Sequence, residues 1–364
     1  MTWVAARSKT QSTVFDPNGL KDAPFSGVIP RNNMPRGTIV IETTFPDQFS
    51  QPLDLIDYEH WQGFRRSLHM VLGPNGRLWV ACEQGVNLMM SSLDLSDCVK
   101  DSPIRISFSW DIAQQKSWLS AEDLKSGQLY SKTLDCAVPS AIDDFARILF
   151  STDDTVVTPA VSAIFVSTKV ENIGYRSGLG AGALVETEWG PTPIEQVKAG
   201  DLVVTHAGDL VPVVALIKTE VPNFGRFQGV DLRRPFQNLS QTLSVSQDTY
   251  IMTDGVDVEY EFGHEFVSLR ANHIAPFLPR ASSKGAPVAL RYQLLFSSDL
   301  AYRVAGISVH ALSVVHDLRD KPLHRRTQLS HVSPVAIDQI DTKPTRKLLS
   351  HEATALLSGR YINA

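Results

Sequence analysis

The sequence predicts a mainly β chain built in two halves and closed by one helix. Short apolar or alternating runs, separated by turn residues, recur between residues 36 and 170. The composition changes character at Gly178, where a second series of strand-and-turn runs opens. Near the C-terminus the apolar spacing becomes helical.

In the first half, Gly37–Phe45 is rich in β-branched residues, which favour strands. Ser67–Leu72 and Arg77–Cys82 flank Gly73-Pro74-Asn75-Gly76, and Asn-Gly between two apolar runs predicts a hairpin because both residues tolerate positive φ. Ile104–Trp110 alternates strictly, as a half-buried strand does. Gln115–Ala121, Leu129–Leu134 and Val161–Val170 complete the set. Many short strands with turns between them predict a two-sheet sandwich. Trp79 and Trp110 sit in these runs and are expected in the core. Trp61 lies in the more polar, less strand-like stretch Asp57–Gln62 and is the better candidate among them for a surface ring. Asp143-Asp144 and Asp153-Asp154 are expected as solvated turn or cap residues.

Residues 1–35 carry six proline or glycine positions (Pro17, Gly19, Pro24, Gly27, Pro30, Pro35) and few apolar repeats. They are expected to form an arm, packed on its own domain or inserted into a neighbouring subunit. The three cysteines, Cys82, Cys98 and Cys136, are widely spaced without a CxxC pair, so buried free thiols are expected rather than a zinc or redox site. Net charge is −5, from 34 Lys and Arg against 39 Asp and Glu, which offers no general attraction for nucleic acid or an anionic membrane. No apolar run approaches the ~20 residues of a membrane span. The first residues lack the apolar core of a secretory signal, so synthesis in the cytoplasm, with release inside a particle, is the expectation.

The second half opens with Gly178–Thr187 and then Gly190-Pro191-Thr192-Pro193-Ile194-Glu195-Gln196-Val197-Lys198-Ala199-Gly200-Asp201-Leu202-Val203. Physically this is strand, turn, short helical piece, Gly-Asp corner, strand. The tail holds Arg346-Lys347-Leu348-Leu349-Ser350-His351-Glu352-Ala353, and Leu348, Leu349, Ala353, Leu356 and Leu357 predict a helix over Lys343–Leu357 with Gly359 just past its end. The Gly-x-x-Pro-Ile-Glu-x-Val-x-x-Gly-Asp-x-Val pattern is matched at every fixed position. It resembles the opening of the bacterial Hint domain, the fold of hedgehog autoprocessing domains and inteins, and the tail is similar to the closing helix of that subgroup.

The resemblance implies an all-β horseshoe and an autoprocessing site. A Cys or Ser at the first position attacks the preceding carbonyl, and a Thr/Ser-x-x-His supplies an imidazole. The first position falls on Gly178, which has no side chain. The second motif falls on Ser246 and Thr249, where Thr249 replaces the histidine. The third falls on Gln293 and Asp299 within Tyr292–Asp299, and both stand where histidines are implied. The resemblance therefore implies a degenerate site, a pseudoenzyme. Ser177, one residue earlier, is the rescue nucleophile in a shifted register, though a hydroxyl without a base is weak. His273 is expected as a satisfied structural histidine. His310, His316, His324 and His331 are expected as solvated loop and helix-flank residues, not as a metal site.

The strand order of the first half resembles a concanavalin-like or laminin-G-like jelly roll, whose members often bind glycans. The fold class expected is mainly β: a concanavalin-like jelly-roll sandwich followed by an all-β Hint-type horseshoe with a C-terminal helix. The expected divisions are an arm at 1–35, the jelly roll at 36–172, the Hint-like domain at 173–340 and the helix and tail at 341–364. The function expected is a non-catalytic structural or binding protein, a spike or adhesin component of a surface or phage-like particle. It would bind a glycan or protein ligand through the jelly roll, with Trp61 as the candidate contact, and belong to an oligomer or larger assembly. Neither cofactor nor metal, nucleic acid nor membrane insertion is implied. The alternative is a self-cleaving protein cut near Ser177-Gly178. A glycoside-cleaving enzyme would need two carboxylates facing one cleft.

Overall fold

The computed structural model describes residues 2–21, 25–47, 50–175, 177–234, 236–278, 285–311, 321–333 and 345–361. The chain divides into two compact units. The first comprises residues 1–174 with 224–226 and 286–288, and the second comprises the remainder.

The first unit is a sandwich of a seven-stranded and a five-stranded antiparallel sheet. In the larger sheet the strand order is Leu129–Leu134, Lys116–Asp123, Pro103–Asp111, Arg36–Thr44, Ala163–Ser167, Trp3–Ser8, Gln11–Phe15. The smaller runs Thr155–Val157, Leu53–Trp61, Arg65–Leu72, Arg77–Gln84, Asn87–Asp94. Alternation builds the core: Ile39, Ile41, Ile104, Ile106, Phe108 and Trp110 face Ile56, Tyr58, Leu68, Met70, Leu78, Val80 and Cys82. Helix Ile142–Phe150 closes one end, with Phe145 stacked on Trp110 at 5.6 Å between ring centroids. The Pro-Asn-Gly hairpin is present, with Gly76 at φ 77° and the Gly73 amide donating to Arg77 O at 2.8 Å.

Several expectations are corrected here. Residues 1–35 are not simply an arm: Trp3–Ser8 pairs with Ala163–Ser167 and Gln11–Phe15 pairs with Trp3–Ser8. Packing on its own domain is thus the alternative that Trp3–Phe15 follows. Trp79 is not core. Leu78, Val80 and Cys82 take the inward positions of their strand, so the period of two turns Trp79 outward, 39% exposed. Trp61, the candidate surface ring, is exposed, and it ends a regular strand, Leu53–Trp61. Asp144 is a cap residue as expected, accepting the Ala141 amide at 3.2 Å at the start of helix Ile142–Phe150, but it and Asp143 are buried rather than solvated, because Arg66 pairs with both and Tyr58 hydrogen-bonds Asp144. Cys82 and Cys98 are buried free thiols, and Cys136 is exposed.

The second unit has two sheets. The five-stranded sheet runs Ala215–Pro222, Val288–Leu295, Leu179–Gly180, Leu243–Ser246, Gly229–Leu232. The eight-stranded sheet runs Leu210–Pro212, Leu202–Val204, Leu184–Thr187, Ala301–Val304, Ile307–His310, Tyr250–Asp254, Phe266–Arg270, with Gly190–Pro193 paired to Leu184–Thr187. The opening motif is explained by its contacts. Ile194, Val197 and Val203 are core, the Glu195 carboxylate accepts the Gly182 amide at 2.9 Å, and the Asp201 carboxylate accepts the Lys198 amide at 2.8 Å. Gly190 and Gly200 turn their corners at φ 99° and 94°.

The closing helix spans Ser350–Tyr361, later than expected, and Gly359 lies within it. Residues 346–348 are held extended by the backbone of Ser268, which donates to Arg346 O and accepts from the Leu348 amide, each at 2.9 Å. Glu352 then accepts the Leu349 amide at 2.8 Å and starts the helix.

Candidate functional site

Gly178 precedes the short strand Leu179–Gly180, beside the end of strand Leu243–Ser246. The Ser246 amide donates to Gly178 O at 2.8 Å, and the Ser246 hydroxyl donates to the same oxygen at 3.2 Å. The Gly178 amide donates to Thr249 Oγ1 at 3.3 Å. Ser246 and Thr249 are both buried. A Cβ placed on Gly178 would lie 3.0 Å from Arg291 Cβ, 3.4 Å from the Tyr175 hydroxyl and 3.5 Å from Ser246 Oγ. The structure therefore brings three of the sequence-singled positions, Gly178, Ser246 and Thr249, into one hydrogen-bonded group. Ser177 is half-buried beside them, and among the described residues nothing hydrogen-bonds its hydroxyl.

Gln293 adjoins the group in the sheet register: Leu179 pairs with Tyr292 and Gly180 with Arg291, so Gln293 lies opposite Gly178. Gln293 is buried on strand Val288–Leu295, and its Nε2 lacks a partner among the described residues. Asp299 is half-buried; burial raises its carboxyl above the usual range, and the nearby Lys347 opposes that shift.

Two residues of the group escaped sequence reasoning. The Tyr175 hydroxyl hydrogen-bonds Ser246 Oγ, and the Tyr175 ring lies 5.7 Å from that of Phe227. Arg291 is 3% exposed, bonds Ser244 Oγ at 3.0 Å through Nη1, and has no ion pair among the described residues. Its guanidinium lies against the backbone of Gly229, where a Cβ would fall 1.9 Å from Nη2. Nothing in the matched motifs marks either residue; only Tyr175's place three residues before Gly178 could have drawn notice.

The histidines fall elsewhere. His310 Nε2 and Ser268 Oγ are 2.6 Å apart, and His206 Nδ1 lies 2.8 Å from Ser308 Oγ. Ser268, Ser308 and His310 lie on the eight-stranded sheet, whereas Ser246 ends a strand of the five-stranded one. Burial, with help from Lys347 and His206, lowers the pKa of His310 to about 4. His310 is thus not a solvated flank residue, and His324 is buried as well. His331 is exposed as expected, and His316 lies outside the described residues. His273 is not satisfied among the described residues: its buried Nδ1 has no partner there, and burial and Arg270 lower its pKa. Among the described residues no group of three or more His, Cys, Asp and Glu is placed to hold a metal ion, and no helix is long and apolar enough to cross a membrane.

In the first unit, the outward face of the smaller sheet carries Trp61, 71% exposed, with Trp79, Leu88 and Met90. Trp61 pairs across strands with Arg65, whose guanidinium bridges Glu59 at 2.8 Å and Glu83 at 3.2 Å. His69 faces Asp57 at 2.7 Å on the same face. On the larger sheet, Glu42 and Glu122 flank Arg105 across neighbouring strands, at 2.9 and 3.6 Å, and all three are buried. These carboxylates are ion-paired to one guanidinium rather than open to a cleft.

Residues 178–311 match the Hint domain family. Its boundary falls on Gly178, the residue around which Ser246 and Thr249 converge. No curated protein matches the chain. Among solved structures, the chain is similar to the carbohydrate-binding module CBM40 of the Ruminococcus gnavus IT-sialidase bound to alpha2,3 sialyllactose. That match has 15% identity over 37% of this chain and 76% of that one, with a TM-score of 0.27. It is also similar to tailspike protein 2 of an Escherichia coli O157:H7 bacteriophage, at 13% identity over 38% of this chain and 17% of that one, TM-score 0.23. The AceL NrdHF class 3 split intein, as a splice-inactive variant, matches at 12% identity over 38% of this chain and 99% of that one, TM-score 0.19.

Proposed function

We propose that this chain is a non-catalytic binding protein, a jelly-roll head joined to a Hint-family scaffold that no longer cuts. The observation that carries the reading is the group around Gly178. The Gly178 amide and carbonyl are both hydrogen-bonded, yet this first position has no side chain to attack with. The amide that an imidazole would polarise meets a threonine hydroxyl instead. A hydroxyl does not exchange protons with water near neutral pH as an imidazole does, so Thr249 is a poor substitute for a general acid or base. Arg291 fills the adjoining space.

In this reading the scaffold is a spacer or docking surface within an oligomer or surface assembly, and the head takes a glycan or protein ligand. Support for the head comes from the outward sheet face, where an exposed indole beside a bridged arginine offers a flat apolar ring for stacking and fixed polar groups for orientation. The test is a glycan array probed with the full chain and with Trp61→Ala. We expect glycan binding that weakens by about tenfold in the variant, with the melting temperature unchanged because Trp61 packs little. Unchanged binding in Trp61→Ala would remove this face from the reading.

A further inference from the structure

The end of strand Trp3–Ser8 borders a cavity of about 260 Å3 in the first unit, lined by Arg7, Ser8 and Lys9 and by the segment Val157–Ile164. Its lining includes two cations and no carboxylate. Arg7 is fixed in place: its Nη1 donates to Leu149 O at 3.0 Å and to Ser151 Oγ at 2.5 Å, at the C-terminus of helix Ile142–Phe150. Its Nε and Nη2 have no acceptor among the described residues, and neither has the Lys9 ammonium. An arginine anchored on one side, with its other donors unused, is preorganised for an oxyanion.

The rest of the lining suits a sugar ring. The Ser8 hydroxyl donates to Gln11 Oε1 at 3.3 Å and the Ser162 hydroxyl to Glu42 O at 2.9 Å, so both oxygens keep lone pairs for incoming hydroxyl groups. The Thr158 hydroxyl is uncommitted among the described residues. Val157, Pro159 and Val161 give apolar surface for the C–H face of a ring. At ~30 Å3 per water the space would hold roughly nine waters, more than a lone oxyanion fills.

We propose that this cavity binds an acidic monosaccharide unit, a carboxylate or sulfate carried on a sugar ring. Arg7 and Lys9 take the charge, while Ser8, Thr158 and Ser162 take ring hydroxyls. The proposal rests on the glycan reading for the ring; the charge recognition stands on the cavity itself.

The test is an amide chemical-shift titration of the full chain with glucuronic acid, glucose 6-sulfate, glucose and inorganic sulfate. The expected result is saturable shifts at residues 7–9 and 157–164 with one or both acidic sugars. Glucose should give none there, and inorganic sulfate should bind about tenfold more weakly. Which acidic sugar binds tells carboxylate from sulfate. Lys9→Glu should weaken binding by about tenfold; Lys9 is exposed and the fold does not depend on it. Trp61→Ala should leave these shifts unchanged. No saturable shift with either acid, equal shifts with glucose, or equal affinity for inorganic sulfate would overturn the proposal. Array binding that survives without cavity shifts would sink the cavity alone, and cavity shifts without any effect of Trp61→Ala on the array would sink the aromatic face alone.

Discussion

Thr249 Oγ1 receives the amide proton of Gly178 at 3.3 Å, placing a hydroxyl where the Hint-family resemblance implies an imidazole. The hydroxyl of Ser246 meanwhile donates to the Gly178 carbonyl at 3.2 Å. The glycine is thus bonded at both its amide and its carbonyl. Every group in this arrangement satisfies a neighbour, and none is a strong base.

The space beside that glycine is filled by Arg291, and Gly229 is the residue that lets it in. A Cβ at 229 would sit 1.9 Å from Arg291 Nη2 and 2.9 Å from its Cζ. Gly229→Ala should therefore destabilise the chain by about 1–3 kcal/mol through overpacking. Arg291→Met in the same chain should recover most of that loss, because the two sites are directly coupled. Urea denaturation of the single and double variants measures the coupling. Additive effects would mean that the clash is relieved elsewhere.

His310 should make stability pH-dependent on the acid side. Its folded pKa of about 4 lies below the ordinary histidine value, chiefly through burial. The unfolded chain therefore takes up the proton first as pH falls through about 6.5, and the folded state loses stability down to about 4. The effect is at most about 3.5 kcal/mol. His310→Asn, which keeps a polar partner for Ser268, should flatten the denaturation midpoint across that window. An unchanged slope would show that other groups carry it.

Arg105 neutralises two buried carboxylates, Glu42 at 2.9 Å and Glu122 at 3.6 Å. Arg105→Met should cost about 3–5 kcal/mol by leaving them uncompensated. Replacing both glutamates by glutamine as well should restore much of the loss. Thermal unfolding of the two variants decides it, and a small effect of Arg105→Met alone would mean water reaches the carboxylates.

These relationships were unequally legible in the sequence. Strands such as Arg77–Gln84 and Pro103–Asp111 were readable because alternation and turn chemistry are local. The side that Trp79 faces was not, since one register step separates core from surface and the partner strands set that step. Trp3–Ser8 is not legible locally because its hydrogen bonds go to Ala163–Ser167, far along the chain. In the candidate site, motif spacing marks Gly178, Ser246, Thr249 and Gln293. Tyr175 and Arg291 reach the site through folding alone, and the cavity between residues 7–9 and 157–164 needs two distant segments together.

The helix start at Ser350 teaches the same lesson. Leu348 and Leu349 fit the helical spacing of the run that follows, yet the preceding residues pair with Ser268, so a tertiary contact overrides the local pattern.

The most direct test of the account is the intact mass of the purified full-length chain after prolonged incubation with hydroxylamine and with a thiol. The account predicts one species at the uncleaved mass, the same for Ser177→Ala. A fragment whose N-terminus is residue 177 or 178, lost in Ser177→Ala, would contradict it.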